Sequence, residues 1–370
     1  MKSAIFLLFA TLCIILNTSS QNLTTLPDGG NKKASVSERI GITDVTIHYN
    51  RPAVKGREGK IWGTLVHKGF TDLEFGTSKV APWRAGANEN TTISFSTDVM
   101  VEGKPVKAGT YGFFIAYGEE NSTLIFSNTN QAWGSFFYND KEDALRVNVT
   151  PVKLTENVER LKYEFSDENE NSAVIALLWE KLKIPFKVEV DYVKTQIESF
   201  KNELRSDKGF NSDAWVQAAQ FAVMHNTNLE DAVQWSDYAI NAPFVGQKNF
   251  KTLSAKASVL NKMGKTAEGD AAMKEALPLA TMIELHQYGR MLLNQKKPKE
   301  ALEIFKLNAQ KNPNAFTTSV GLARGYSANG DFKTALKYMN TALPLAPDKA
   351  NKDAVGNMVK LLEEGKDVNQ

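Results

Sequence analysis

Between Tyr49 and Glu89 the sequence gathers guanidinium forks, indole rings and amides. They run as Tyr49-Asn50-Arg51-Pro52, then Lys55, Gly56 and Arg57, then Ile61-Trp62-Gly63, and finally Trp83-Arg84-Ala85-Gly86-Ala87-Asn88-Glu89. Arg51, Arg57 and Arg84 could each grip a carboxylate or another anion bidentately. The indole faces of Trp62 and Trp83, with Asn88 and Glu89 beside them, are equipment for stacking on and hydrogen-bonding a sugar ring. The candidate ligand-binding residues are therefore Tyr49, Arg51, Arg57, Trp62, Trp83, Arg84, Asn88, Glu89 and Arg146. The same residue types also plug the open ends of β-sandwiches, with Arg84 or Arg57 paired to Glu89 or Asp143 and Asn88 bonded to turn backbone. For catalysis the candidates are only Glu89 and Asp143, two carboxylates that divide acid and base roles if they lie about 5 to 9.5 Å apart.

Other chemistry is poorly represented. No His-Glu-x-x-His, Gly-x-Ser-x-Gly or dinucleotide fingerprint occurs. Gly264-Lys265-Thr266 imitates the end of a phosphate loop, but Val259 stands where that loop needs glycine, and the context is helical. His48, His67, His225 and His286 are dispersed, and the lone Cys13 lies in the N-terminal apolar run. No metal site and no cofactor are expected.

The elements that must position the cluster follow from periodicity. Val45, Ile47 and Tyr49 alternate with Thr46 and His48, and Leu161, Tyr163 and Phe165 alternate with charged residues, as half-buried strands do. Further strands are expected at Thr91 to Phe95, Tyr111 to Tyr117, Trp133 to Tyr138, Ala173 to Trp179 and Phe186 to Val190. Many short strands separated by turn residues predict an all-β sandwich or barrel closing near Tyr192. From Val193 the period becomes helical, with Asn211-Ser212-Asp213 as a helix start. Ala232, Ala267, Ala301 and Ala335 stand 35, 34 and 34 residues apart, and Pro313 and Pro347 stand 34 apart. These spacings resemble tetratricopeptide repeats. About four units are expected, the last carried by Leu322, Ala323, Tyr326, Gly330, Ala335, Ala342 and Pro347, with a capping helix from Asn351. Trp215, Trp235, Tyr238 and Tyr288 are expected to pack rather than to anchor a partner.

Several of the same motifs carry a family resemblance. The runs Tyr49 to Pro52, Lys55 to Arg57, Ile61 to Gly63, Trp83 to Glu89 with Thr91, Ala108-Gly109-Thr110-Tyr111, Trp133-Gly134, and Asp143 with Arg146 resemble the bacterial family filed as domain of unknown function 2911. The likeness covers Ser35 to Val190. It implies an exported β-rich domain, sometimes joined to helical repeats, with no activity or ligand assigned. The chain departs from the family pattern in a longer stretch between Val66 and Pro82, which includes Phe70 and Phe75.

The rest of the chain sets the compartment. Lys2 precedes a thirteen-residue run, Ala4 to Leu16, that is apolar but for Thr11, with Cys13 inside it, and then Asn17-Thr18-Ser19-Ser20. That pattern is a secretory signal, too short for a bilayer span of roughly 20 residues. Cleavage after Ser20 would leave 43 bases against 42 acids. That balance argues against nucleic acid and a polybasic membrane anchor. The expected organisation is a signal peptide at 1–20, a flexible segment at 21–34, a β-sandwich at 35–192 and helical repeats at 193–370. The expected protein is periplasmic or secreted, without a transmembrane anchor, and a binding scaffold rather than an enzyme. Its repeats would engage envelope proteins or peptides, and its β domain a glycan or small anion. The alternatives are a glycan- or peptide-acting envelope hydrolase and a carbohydrate-binding module.

Overall fold

The computed structural model describes residues 30–369, so the expected leader and cleavage position lie outside the described residues. The described chain divides between Tyr192 and Val193 into two compact units.

The first unit is a sandwich of two antiparallel sheets. Its strands are β1 (Lys32–Ile40), β2 (Thr43–Arg51), β3 (Thr91–Phe95), β4 (Val99–Val101), β5 (Lys104–Val106), β6 (Gly109–Ala116), β7 (Ser122–Ser127), β8 (Asp143–Val149), β9 (Val152–Asn169) and β10 (Ser172–Glu189). One sheet has the order β1-β2-β3-β6-β7-β8 and the other β5-β4-β10-β9. Strand β1 takes in residues 32–34, which sequence composition alone leaves in the polar segment. The alternating apolar residues of both sheets meet in one core, with Val45, Ile47, Ile93, Phe113, Leu124 and Phe126 facing Leu161, Tyr163, Ile175, Leu177 and Phe186.

Two expectations about strands need correction. Ala173 to Trp179 and Phe186 to Val190 belong mostly to a single strand, β10, broken in phase and not in path. Its core-facing residues are odd-numbered through Trp179 and even-numbered from Leu182. The register shifts on either side of Glu180, whose φ is +52°, absorb the extra residue. Residues 133–138 form a turn rather than a strand. Gly134 has φ +70°, and the Tyr138 amide donates to the Ser135 carbonyl at 3.2 Å. Their aromatic content therefore serves two surfaces, with Tyr138 buried and Trp133 and Phe137 exposed.

The second unit is a stack of helices: α1 (Tyr192–Glu203, its first residue belonging to the β unit), then the pairs α2 (Ser212–His225) and α3 (Leu229–Asn241), α4 (Phe250–Lys262) and α5 (Thr266–Ala276), α6 (Met282–Asn294) and α7 (Pro298–Lys311), and α8 (Phe316–Ala328) and α9 (Phe332–Ala342), closed by α10 (Lys349–Glu363). Asn211 caps α2 by accepting from the Asp213 amide. Val355, Met358, Val359 and Leu362 of α10 close over the α8 and α9 core. Ala232, Ala301 and Ala335 are buried where paired helices approach, but Ala267 is exposed. Gly269 takes the close-packed position there, because a Cβ on it would lie 2.3 Å from Asn261 Oδ1. The even spacing through Ala267 is thus coincidental.

Candidate functional site

Between β2 and β3 the chain makes an excursion over residues 52–90 with no regular strand of its own. Single bridges pin it to the sandwich, Ala53 to Arg160, Lys68 to Tyr117, Trp83 to Ile115 and Glu89 to Trp133. Val54, Ile61, Val66, Ala81, Trp83 and Ala85 are buried beneath it, so the excursion closes one part of the sandwich core and is held by it. A long irregular segment this well packed is a common seat of function.

Its inner wall is aromatic. Trp83 stacks on Trp179 at 6.1 Å between centroids with 17° between planes, and Trp62 meets both edge-on and lies 5.0 Å from Tyr117. The Trp62 indole N–H donates to the Trp179 carbonyl at 3.3 Å. Beside this wall lies a cleft of about 620 Å³. Its lining includes Lys55, Arg57, Trp83, Arg84, Asn88 and Trp179 and, among the described residues, no Asp or Glu.

Arg57, Trp83, Arg84 and Asn88 are therefore brought together as the sequence suggests, whereas the pairing of the arginines differs from the expected one. Arg57 donates from Nε to the Val54 carbonyl at 2.9 Å and from Nη2 to the Ala53 carbonyl at 2.7 Å. Arg84 donates from Nη1 to the Asn88 carbonyl at 2.9 Å, and its Cζ lies 5.2 Å from the Phe136 ring centroid. Neither has a carboxylate partner among the described residues. Gly134 is required beside Arg84, since its φ is positive and a Cβ would sit 2.6 Å from the guanidinium carbon. Burial pulls the Arg84 pKa below the usual arginine value, the direction expected of a cation taken from water without a counter-ion.

Tyr49, Arg51, Glu89 and Arg146 lie outside the cleft lining, and Asn88 is fixed in it by side-chain bonds. Tyr49 is in the core, its ring 4.8 Å from Tyr163 and its hydroxyl accepting from the Tyr163 amide. Arg51 donates to the Leu161 carbonyl at 2.8 Å. Asn88, with φ +59°, accepts from Asn31 and donates to Asn50 through its side chain. Glu89 is occupied by Lys33 at 2.7 Å and by Asn50 Nδ2 at 2.7 Å, and the Lys33 contact is the main cause of its lowered pKa.

Asp143 and Arg146 form a separate knot on β8. Asp143 Oδ2 accepts from the Tyr138 hydroxyl at 2.7 Å and from Arg146 Nε at 2.5 Å, and Arg146 Nη2 donates to the same hydroxyl at 2.7 Å. Burial raises the Asp143 pKa, opposed by these two partners. In the sheet β6 and β7 separate β3 from β8. Three strand spacings of about 4.8 Å each separate the two backbones, and the two carboxylates share no hydrogen-bond partner, Glu89 being held by Lys33 and Asn50 and Asp143 by Tyr138 and Arg146. Tyr138→Phe removes a donor from a carboxylate that is only 8% exposed. It is expected to cost about 1–3 kcal/mol in a urea titration. A loss below about 0.5 kcal/mol would mean that the knot does not hold this face.

The helical unit has its own cleft, of about 830 Å³, lined by α2, α4, α5, α6 and α7 with Phe250, Met273, Tyr288 and Met291 among its apolar residues. Tyr288 contacts Phe250 edge-on at 6.0 Å, Trp235 is buried, and Trp215 stacks on the exposed Tyr238 at 4.6 Å while donating to the Gly209 carbonyl. Among the described residues no helix is long and apolar enough to cross a membrane.

Sequence reasoning missed Lys55, Leu65 and Trp179 as cleft residues. Lys55 stands in the basic run beside Arg57 and could have been included on charge alone. Trp179 reaches the cleft from β10, and nothing local in the sequence marks it.

Among curated proteins none matches the sequence significantly. Solved structures similar to the chain include YrrB, described as a TPR protein with an unusual peptide-binding site, at 18% identity and a TM-score of 0.28, covering 45% of this chain and 84% of that one. Another is MamA, at 15% identity and a TM-score of 0.28, covering 41% of this chain and 88% of that one. Residues 31–188 match the family described as Protein of unknown function (DUF2911). That match covers the β unit that carries the cationic cleft, and the paired helices follow it in this chain.

Proposed function

We propose that the chain is an exported binding protein whose β unit holds a small anion and whose helical repeats hold a protein partner. The observation that carries the reading is the cleft, lined by Lys55, Arg57 and Arg84 and, among the described residues, by no acid. A half-buried guanidinium without a counter-ion among the described residues is held at some cost, and a bound carboxylate or phosphate offsets it. The indoles of Trp83 and Trp179 add a flat apolar wall, which suits an acidic sugar or another anion with a ring or carbon skeleton. Glu159 stands near the rim, where its Oε1 accepts from the Lys55 amide at 3.1 Å. The N-terminal pattern of Lys2, an apolar run and small polar residues supports export, and the stacked helix pairs support a role in protein recognition.

Titration of the purified chain with glucuronate and, separately, inorganic phosphate tests the reading by calorimetry. Native protein is expected to bind one of them. Arg84→Ala is expected to bind at least about tenfold more weakly, the loss of one charge-assisted hydrogen bond of about 1.5–3 kcal/mol. Equal binding by the two proteins, or no binding by a folded native chain, would remove the anion site.

A further inference from the structure

In the helical unit the residues after α10 do not run off into solvent. They turn back onto one stripe of α8, made by Val320, Arg324 and Ser327. The Val368 amide donates to Ser327 Oγ at 3.1 Å, and that hydroxyl donates to Asp367 Oδ1 at 2.7 Å. Asn369 Nδ2 donates to the Arg324 carbonyl at 3.0 Å. Arg324 Nη1 reaches the Val368 carbonyl at 3.4 Å and Asn369 Oδ1 at 3.2 Å. Val368 is buried, in the same apolar cluster as Val320. Backbone, carboxylate, aliphatic side chain and amide of a short segment are thus each received by a specific group.

The reception is incomplete in charge. Arg290 on α6 and Arg324 on α8 both lower the His286 pKa, after the larger effect of its burial. Burial and then Arg290 lower the Arg324 pKa, and Asp367 opposes them. Among the described residues Asp367 makes no ion pair within 4.0 Å, and its Oδ1 is spent on Ser327 and on Asn369 of its own segment. Arg290 has no carboxylate partner among the described residues. The longer of the two bonds from Arg324, at 3.4 Å, lies beyond the good hydrogen-bond range. The segment is therefore held by single hydrogen bonds and apolar packing without an ion pair among the described residues.

We propose that the face formed by Val320, Arg324 and Ser327 is a docking site for a partner segment in which an acidic residue precedes an aliphatic one, and that residues 367–369 occupy it in the free chain as an internal competitor. This rests on the reading of the helical repeats as a protein-binding surface. A segment tethered by a few residues competes at an effective concentration on the order of millimolar. A free segment with a dissociation constant below about 0.1 mM is then weakened at least about tenfold by its own tethered copy.

The test uses a fluorescent peptide of the sequence of residues 364–369 and the full chain in three forms, read by anisotropy. Val368→Lys puts a cation into the apolar cluster that receives Val368 and frees the site. It is expected to bind the peptide at least about tenfold more tightly than the native chain does. Adding Arg324→Ala is expected to reverse that gain. A chain ending at Glu363 offers the same vacated face without a substituted side chain, and the same gain is expected there. Equal binding by native, Val368→Lys and shortened chains would overturn the internal competitor while keeping the docking face. No binding by any form with native helicity would overturn the docking face, and with it the reading of this part of the array. Neither result touches the anion titration, which reports on the β unit.

Discussion

Phe305→Ala is expected to lower the stability of the helical unit by about 3–5 kcal/mol. Phe305 on α7 is 1% exposed. Its ring is wedged among three glycines: a Cβ would lie 2.5 Å from it at Gly289, 2.7 Å at Gly321 and 2.9 Å at Gly325. One of these glycines is on α6 and two are on α8, so the ring fills the space where both neighbouring helices give up their side chains. Removing it leaves a cavity walled by backbone, which cannot collapse as a cavity walled by flexible side chains can. The same geometry predicts a change of sign. Gly289→Ala alone overpacks the ring and is expected to cost about 1–3 kcal/mol, whereas in the Phe305→Ala background the added methyl fills space and restores stability. Urea unfolding followed by helical circular dichroism reads all four corners of this cycle. A Phe305→Ala loss below about 1 kcal/mol, or a Gly289→Ala effect of the same sign in both backgrounds, would contradict the wedge.

What the sequence reveals of this architecture depends on whether the signal is local. Strands such as Val45 to Tyr49 and Leu161 to Phe165 are legible because burial on one face imposes a period of two on neighbouring residues. The phase break at Glu180 interrupts that period, so β10 reads as two strands although the chain runs straight through. Aromatic density at residues 133–138 imitates a strand because composition cannot report that Gly134 turns the chain. Ala267 imitates a repeat position because alanine is common enough in helices to fall on a 34-residue grid by chance.

The cleft shows the same division. Arg57, Trp83, Arg84 and Asn88 are legible since they sit within one excursion of the chain. The acceptors of Arg57 and Arg84 are not legible, because a backbone carbonyl is offered by every residue and leaves no mark on residue type. The docking of residues 367–369 is hidden for the same reason: three of its contacts end on main-chain atoms.

Trp179→Ala is expected to destabilise the β unit by about 3–5 kcal/mol, and Trp179→Phe by clearly less. Trp179 is 1% exposed and stacks on Trp83, while Trp62 packs edge-on against it and donates to its carbonyl. Truncation to alanine therefore removes the partner on which two other indoles are positioned. Phenylalanine keeps a ring in the stack. It also deletes the Trp179 indole N–H, which is buried without a partner among the described residues. A buried donor left unmade costs about 1–3 kcal/mol, so its removal offsets part of the volume lost. Calorimetric unfolding of the full chain separates the two substitutions, and equal losses would mean that the orphan donor carries no cost. The pair also connects stability to the cleft, since Trp179 and Trp83 both line it. If the indole wall shapes the anion site, Trp179→Phe keeps the affinity measured for the native chain within about threefold, less than the tenfold of 1.4 kcal/mol. Trp179→Ala loses it even at temperatures where the protein remains folded, because the wall that orients Arg84 and Trp83 around the ligand has fallen in.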